Sequence, residues 1–343
     1  MIVADAPDPR TLEAAQQGDS AAFGALVEPH RRELHAHCYR MLGSLQDAED
    51  ALQETLLRAW RGLGGFEGAR PLRPWLYRIA TNVCLDAIAK RPKRVLRLDG
   101  SAPSQPDAGP GTPVLESVWI EPYPDEHVGL EDGYAAPDAR YEQRESVELA
   151  FVAALQHLPA RQRAVLILRE VLGFSAREVA QSLDTTAASV NSALQRARRT
   201  VDETRPQRSQ QETLRSLGDE RLRGLVHRYV EAWESRNVEA MVAVLAEDVT
   251  FAMPPFPRWF SGRDVVIEFM VATGKPPLRS VLTRASGQPA VAWYVRRTRG
   301  GVFHPTSIEV LAVDGERVEG VTAFASPALF GWFGLPGELK VSD

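Results

Sequence analysis

Three sets of side chains in this chain have the types and spacing for chemistry, and in each the chemistry is recognition rather than bond-making. The first is acidic: Asp47, Asp50 and Glu54, with Gln53 among them, recur at helical intervals ahead of Arg58 and Arg61. Like charges three or four residues apart cost a helix a few tenths of a kcal/mol each. The row is either a solvated face in which Glu54 pairs with Arg58, or a docking surface for a basic partner. The second set is basic and aromatic. From Arg70 to Arg97 eight Lys or Arg stand against a single Asp, with Trp75 and Tyr77 between them. Cations for phosphates and rings for unstacked bases are what single-stranded nucleic acid requires, while Trp75 at a helical spacing also fits a core position. In the third set, Ser189, Asn191, Ser192, Gln195, Arg196, Arg198 and Arg199 are the donors that suit a major groove and its phosphates.

The elements that position these groups read as helices. Ala48, Leu52, Leu56, Ala59 and Leu63 make an amphipathic stripe, and Ser44 with Asp47 makes a capping pair at its start. A second helix is expected to open at Pro74 and to bury Trp75, Ile79, Val83 and Ala87. Its opposite stripe is then Arg78, Asn82, Asp86 and Lys90. Further on, three helical patterns cover 161–171, 175–183 and about 187–199. Gly173 breaks the first from the second, Ser175 and Glu178 form a capping box, and Asp184, Thr185 and Thr186 make the next break. That is helix-turn-helix punctuation. The last helix buries Val190, Leu194 and Ala197, and the segment from His157 to Thr200 carries seven Arg and three acids.

With these residues in view, DAEDALQETLLRAW followed by WLYRIATNVCLDAIAKR resembles region 2 of bacterial RNA polymerase sigma factors of the extracytoplasmic-function type. The segment LPARQRAVLILREVLGFSAREVAQSLDTTAASVNSALQRARR is similar to region 4 of the same family. The resemblance implies that Asp47, Asp50, Gln53 and Glu54 grip the clamp helices of core RNA polymerase. Trp75, Arg78, Thr81, Asn82, Asp86, Lys90 and Arg91 would then read and help melt the −10 promoter element. The donors from Ser189 to Arg199 would bind the −35 element. The TTAAS run before Val190 departs from the pattern, since many relatives carry a Lys or Arg there, and it leaves the −35 base preference open.

Between the two modules, Leu98 to Ala139 holds nine Asp or Glu, no Lys or Arg, and seven Pro, a composition that forms no core of its own. The resemblance implies a connector threading the RNA exit channel of polymerase. Within it Trp119, Ile120, Tyr123 and Pro124 form an apolar, aromatic island expected to dock on a protein surface.

Beyond Arg205 a third unit begins with Leu222, Leu225, Val226, Tyr229, Val230 and Trp233 at helical spacing. Strand patterns follow at 249–253 and 290–296 and on either side of the Asp314-Gly315 step. VHRYVEAWESRNVEAMVAVLAEDVTFAMPP and the later SGQPAVAWYV resemble SnoaL-like domains, cone-shaped α+β folds that include enzymes. In such a cone Asp248, Trp259, Asp264, Tyr294 and His304 are the expected pocket residues, although no complete catalytic constellation is visible.

The expected fold is thus multidomain: two all-α sigma domains at 10–95 and 141–204, an acidic linker at 96–140, and an α+β SnoaL-like cone at 218–338. The resemblance makes the chain a sigma factor, with core RNA polymerase and promoter DNA as partners. Its appendage would contact the sigma core or linker and tune activity. The alternatives are an isomerase- or cyclase-like enzyme with a DNA-binding front end, and a one-component helix-turn-helix regulator, which leaves the acidic helix unexplained. A net charge of −5 over 343 residues averages a basic DNA-facing part with the acidic linker. The N-terminal stretch has no apolar run suited to a signal peptide or membrane span, so a cytoplasmic protein is expected. Cys38 and Cys84 read as reduced core residues, and His35, His37 and Cys38 crowd too closely for zinc. No phosphate-binding glycine loop appears, and neither cofactor nor metal is expected.

Overall fold

The structure of the protein is a computed structural model that describes residues 7–68, 71–91, 93–96, 101–109, 111–114, 118–128, 144–204, 208–272, 276–296 and 301–340. Arg70 and Arg97, the ends of the basic run, lie outside the described residues. The chain divides into two compact units, one built mainly from residues up to Arg94 and from 150–205, the other from 95–126 and the chain beyond 205.

The first unit is helical. It comprises α1 (Pro9–Gln16), α2 (Ser20–Val27), α3 (Arg31–Leu42), α4 (Leu45–Gly62), α5 (Leu72–Ile88), α6 (Leu149–Gln156), α7 (Ala160–Leu166), α8 (Ala176–Ser182) and α9 (Ala187–Thr204). Gly43 closes α3 in the left-handed conformation (φ 72°), and the next residue, Ser44, caps α4 by accepting from the Asp47 N–H at 3.3 Å. That tight link turns two long helices against each other around Leu34, Cys38, Met41, Leu45 and Leu52, all at most 2 % exposed. After α7 the chain widens into a π turn, Ile167–Val171, before Gly173 (φ 72°) reverses it. The Ser175–Glu178 capping box forms as expected, with the two hydrogen bonds at 2.7 and 3.3 Å.

The expected buried face of α5 needs correction. The helix starts at Leu72, two residues before Pro74, which the first turn accommodates because its missing N–H has no helical partner there. Its buried residues are Leu72, Leu76, Tyr77, Ala80, Thr81, Val83 and Cys84, whereas Trp75, Ile79 and Ala87 are only half-buried. The stripe is rotated by about one position toward Tyr77 and Thr81. A ring and a small hydroxyl fill the space facing α3, where Thr81 Oγ1 lies 3.0 Å from His37 Nε2.

The second unit contains α10 (Gln210–Leu217), α11 (Asp219–Ser235), α12 (Val238–Val244), α13 (Arg263–Ala272) and α14 (Leu329–Trp332). Its strands are β1 (Leu245–Ala252), β2 (Trp259–Ser261), β3 (Leu278–Ala285), β4 (Gln288–Val295), β5 (Val302–Asp314), β6 (Arg317–Phe324) and β7 (Leu339–Lys340). The sheet order is β2-β1-β6-β5-β4-β3 with β7 on β5, and only β1 with β6 runs parallel. Register shifts in β1, β4–β5 and β5–β6 bend the sheet. The helix α11 lays Leu225, Tyr229, Ala232 and Trp233 into a core with Val249, Phe251, Phe260, Phe269, Val291 and Leu311. Sequence periodicity placed the start of this unit at 218. The structure adds α10, capped by a Ser209–Glu212 box and held by Glu148, whose carboxylate accepts from the N–H groups of Gln210 and Gln211 at 3.3 and 2.8 Å.

Part of the acidic linker belongs to this unit. Trp119, Ile120 and Tyr123 are buried, and Val95 and Ile120 exchange backbone bonds with Val118 and Val95. The docking point is the β3–β4 hairpin, a turn whose central residues Ser286 and Gly287 both have positive φ (56° and 74°). Ser286 donates its N–H to the Tyr123 carbonyl and its Oγ accepts from the Tyr123 N–H. Asp125 accepts from the Gly287 N–H at 2.7 Å and from Arg284 Nε at 3.1 Å. A side chain at position 287 would collide with the Arg144 carbonyl at 2.9 Å, so glycine is required for space as well as for φ. The island therefore does dock on protein, and the surface is its own C-terminal domain.

In the core of that domain Glu309 on β5 accepts from Tyr229 at 2.8 Å and Trp293 at 2.7 Å. Burial outweighs both bonds and pushes the Glu309 pKa up to about 7. A carboxyl whose folded pKa is raised gives its stabilisation fully below the unfolded pKa and loses it as pH rises through about 7, because the native state holds the extra proton. Unfolding of the C-terminal domain is therefore expected at lower temperature at pH 8.5 than at pH 6, by an effect on the order of 1 kcal/mol. In Glu309→Gln that decline is absent, as differential scanning calorimetry at the two pH values will show.

Candidate nucleic-acid interface

On α4 the outward carboxylates and amides are Asp50, Gln53 and Glu54. Gln46 donates to Asp50 at 3.0 Å, Gln53 donates to Glu49 at 3.1 Å, and Arg58 Nε donates to Glu54 at 2.7 Å. Arg58 also reaches Asp86 on α5 at 3.2 Å, so Asp86 is tied into an ion-pair bridge between the two helices. Both expected readings of Glu54 therefore survive: it is exposed on a side-chain basis at 41 %, and it pairs with Arg58. Exposed pairs of this kind contribute under about 1 kcal/mol and yield readily to a partner.

Asp47 does not belong to that outward face. It is 9 % exposed, and its two oxygens are taken by Arg91 and by Arg94, whose Nη2 lies at 2.6 Å. As an acid in the first turn of α4 it sits at the positive end of the helix dipole. Its position next to Ala48, with Ala51 and Leu52 on the same inner face, draws it inward. The pairing ties the start of α4 to the segment after α5. Sequence analysis missed Arg94, which is buried at 6 %. The surplus of cations in this stretch was the available signal, but it read as a DNA-facing feature only.

On α5, Arg78, Asp86, Lys90 and Arg91 are exposed and Asn82 is half-buried. Thr81 is enclosed, and His37 beside it is held neutral, its pKa pushed down to about 3 by burial. Trp75 packs on Phe66 with ring centroids 5.0 Å apart, leaving one part of the indole accessible. Tyr77 is no stacking platform. It is 1 % exposed, rests edge-on against His37 and Phe174, and lies beneath the Arg73 guanidinium.

The remaining donors of α9 stand as expected. Ser189, Asn191, Ser192, Gln195, Arg196, Arg198 and Arg199 are all exposed, while Val190, Leu194, Ala197 and Val201 are buried. The Ser189 N–H donates to Thr186 Oγ1 at 3.2 Å, which fixes the helix start, and Arg198 pairs with Glu170.

Two contacts join these surfaces within the first unit. Arg163 on α7 is 4 % exposed and donates to the Met41 carbonyl at the end of α3 (2.5 Å), to Gln156 Oε1 (2.6 Å), and to the Gln156 and Leu158 carbonyls (both 3.3 Å). Burial lowers its pKa to about 10, and it remains charged at neutral pH. At the other edge, Arg78 Nη2 meets Asp184 Oδ1 at 3.2 Å, and Trp75 and Arg78 share a cleft with Glu178, Gln181 and Ser182 of α8. Neither pairing is written in the local pattern, because the partners lie 106 and 122 residues apart.

The expected pocket of the C-terminal domain does not assemble. Asp248, Asp264 and His304 are exposed, Trp259 donates its Nε1 to Ser101 of the linker at 3.1 Å, and the buried Tyr294 donates to the Pro336 carbonyl at 2.9 Å. Asp248 lies within β1, Asp264 in the first turn of α13 and His304 near the start of β5, each on the solvent side. Glu309 is an acid enclosed in the core of this domain, flanked in sequence by Ile308 and Val310 and so unmarked by alternation.

Three stretches match family models: Sigma-70 region 2 over residues 26–94, Sigma-70, region 4 over 148–201, and the SnoaL-like domain over 226–324. The extracytoplasmic-function RNA polymerase sigma factor SigG of Mycobacterium tuberculosis is 43% identical over 321 residues, covering 92% of this chain and 85% of that protein. SigM of the same organism is 32% identical over 56% of this chain and 81% of its own length. Among solved structures, the extracytoplasmic-function sigma factor SigJ of Mycobacterium tuberculosis shares the fold, with TM-score 0.59 and 21% identity over 91% of this chain and 99% of that one.

The buried Asp47 generates a direct expectation. Arg94→Ala leaves a carboxylate with only the more exposed Arg91 to balance it, and is expected to destabilise the first unit by about 3 kcal/mol. Urea unfolding followed by circular dichroism checks it; a change below about 0.5 kcal/mol, typical of surface sites, contradicts the pairing.

Proposed function

The chain belongs to the extracytoplasmic-function sigma factors of RNA polymerase, with a fused SnoaL-like domain, and on that premise we propose how its residues divide the work of promoter-specific initiation. Asp50, Gln53 and Glu54 dock core polymerase. Arg78, Asn82, Asp86, Lys90 and Arg91, with the accessible part of Trp75, face the −10 element, and the α9 donors from Ser189 to Arg199 face the −35 element. Asp47 and Thr81 act one step back, Asp47 by holding the Arg91–Arg94 segment and Thr81 by packing α5 on α3. The single observation that carries this reading is the exposed, basic and amide-rich edge of α9 together with the exposed acids of α4, two surfaces of opposite charge on one unit.

In the free chain one edge of the −10 face is occupied. Arg78 is paired with Asp184, and Trp75 shares its cleft with α8. Full access of bases to Arg78 and Trp75 requires α8 to withdraw, which couples binding of core polymerase to separation of the region-2 and region-4 helices, whereas Asp86, Lys90 and Arg91 are exposed already. The Arg78–Asp184 pair is exposed and weak, and separation costs little at that edge. The buried Arg163 is the stronger latch.

The C-terminal domain acts as a regulator through the linker segment docked on its β3–β4 hairpin. An enzymatic cone is the second reading, and the outward placement of Asp248, Asp264 and His304 speaks against it. The work is done where polymerase is, in the cytoplasm; among the described residues no helix is long and apolar enough to cross a membrane.

Asn82→Ala is expected to reduce promoter opening at least tenfold while leaving affinity for core polymerase within about twofold. Asp50→Ala combined with Glu54→Ala is expected to weaken core binding itself. Permanganate footprinting of the melted strand and fluorescence-detected core binding separate the two; equal loss of both activities in both variants contradicts the division.

A further inference from the structure

Where the end of α5 meets the turn between α6 and α7, the first unit carries an open cleft of about 360 Å³. Its lining carries the fixed cations Arg91, Lys93, Arg94 and Arg163 against one carboxylate, Asp47. That carboxylate is already committed to Arg91 and Arg94. Lys93 Nζ lies 2.8 Å from His157 Nδ1, which places a fifth nitrogen base at the rim. The local charge is strongly positive although the chain as a whole is acidic.

Two donors deep in this lining have no partner. Arg163 Nε and Gln156 Nε2 are buried and unbonded, on side chains 4 % and 5 % exposed. A buried N–H without an acceptor costs about 1–3 kcal/mol, and an uncompensated guanidinium more. Both atoms are closed to solvent, and the donors that face the cleft are those of the exposed Arg91 and Lys93, which suit an anion with several acceptor oxygens. The opposite wall is apolar, formed by Leu42, Ile88, Leu158 and Pro159. Clustered cations and an apolar wall in a cleft of a few hundred Å³ suit a phosphorylated small molecule.

We propose that this cleft is a binding site for a phosphate-bearing small molecule, the phosphoryl oxygens taken by Arg91 and Lys93 and the organic part by the apolar wall. The lining comes from the α4–α5 side and from the α6–α7 side together. An occupant therefore binds only while these helices are packed, and by linkage it stabilises the packed form against separation. The regulatory consequence rests on the proposed covering of the Trp75–Arg78 edge described above; the binding itself does not, and it is measured without polymerase or promoter.

The test is isothermal titration calorimetry of the full-length chain with inorganic pyrophosphate and, separately, with ADP, repeated on Lys93→Ala and on the control Arg196→Ala. Lys93 is exposed, so its variant is expected to keep the thermal unfolding temperature of the parent. The expected result is saturable binding of one molecule per chain, weakened at least tenfold by Lys93→Ala and unchanged by Arg196→Ala. Tighter binding of ADP than of pyrophosphate identifies a nucleotide as the class of ligand; equal binding identifies an inorganic polyanion. Absence of saturable binding with both probes at millimolar concentration overturns the proposal. So does binding that Arg196→Ala weakens as much as Lys93→Ala, which marks general attraction to basic surface.

Discussion

One buried guanidinium holds the first unit together. Arg163 arises from α7, yet its strongest bond outside its own neighbourhood is to the carbonyl of Met41, at the C-terminal end of α3. That carbonyl is one of the orphan acceptors that every helix end leaves. A charged donor entering the negative end of a helix dipole, in a dry site, makes a directional join that apolar packing alone does not specify. From that join follow the cleft between α5 and the α6–α7 turn, the apposition of α8 to α5, and the pairing of Arg78 with Asp184. The latch also has an intrinsic weakness. Its Nε lacks a partner, so the packed arrangement is less stable than the same geometry with every donor satisfied.

Much of this fold was legible in the chain because the relevant rules are local. Capping residues, left-handed glycines and three- to four-residue apolar spacing fixed α4, α8 and α9, and the Ser175–Glu178 box formed as its sequence required. The α9 donors stand exposed because Val190, Leu194 and Ala197 leave them no other face. What failed to show were the choices settled by contacts distant in sequence. The rotation of α5 toward Tyr77 and Thr81 was decided by His37 and Phe174, and the inward turn of Asp47 by Arg94, 47 residues away. In the C-terminal domain Asp248, Asp264 and His304 look like pocket residues by type alone. Glu309, an enclosed acid, sits in a run of fully buried strand residues where alternation carries no signal.

The linker shows how composition and structure divide a segment between them. Its acids and prolines do deny it a core of its own. Yet Trp119, Ile120 and Tyr123 borrow the core of the C-terminal domain, and Asp125 uses its charge locally on Arg284 and the Gly287 N–H. Burial raises the Asp125 pKa despite those two partners. On the proposed reading, release of this anchored segment from the β3–β4 hairpin is the point at which the C-terminal domain exerts control.

The central claim is that a sigma factor of this type covers the Trp75–Arg78 edge of its −10 reader by packing regions 2 and 4 together and frees it on binding polymerase. The most direct measurement is the distance distribution between spin labels at Ala21→Cys on α2 and Gln181→Cys on α8, both exposed positions, by pulsed electron resonance. The native Cys38 and Cys84 are buried and do not compete for label. A single short population in the free chain that shifts wholly to longer distances with core polymerase is the predicted result. A distribution unchanged in a complex that initiates transcription contradicts the account.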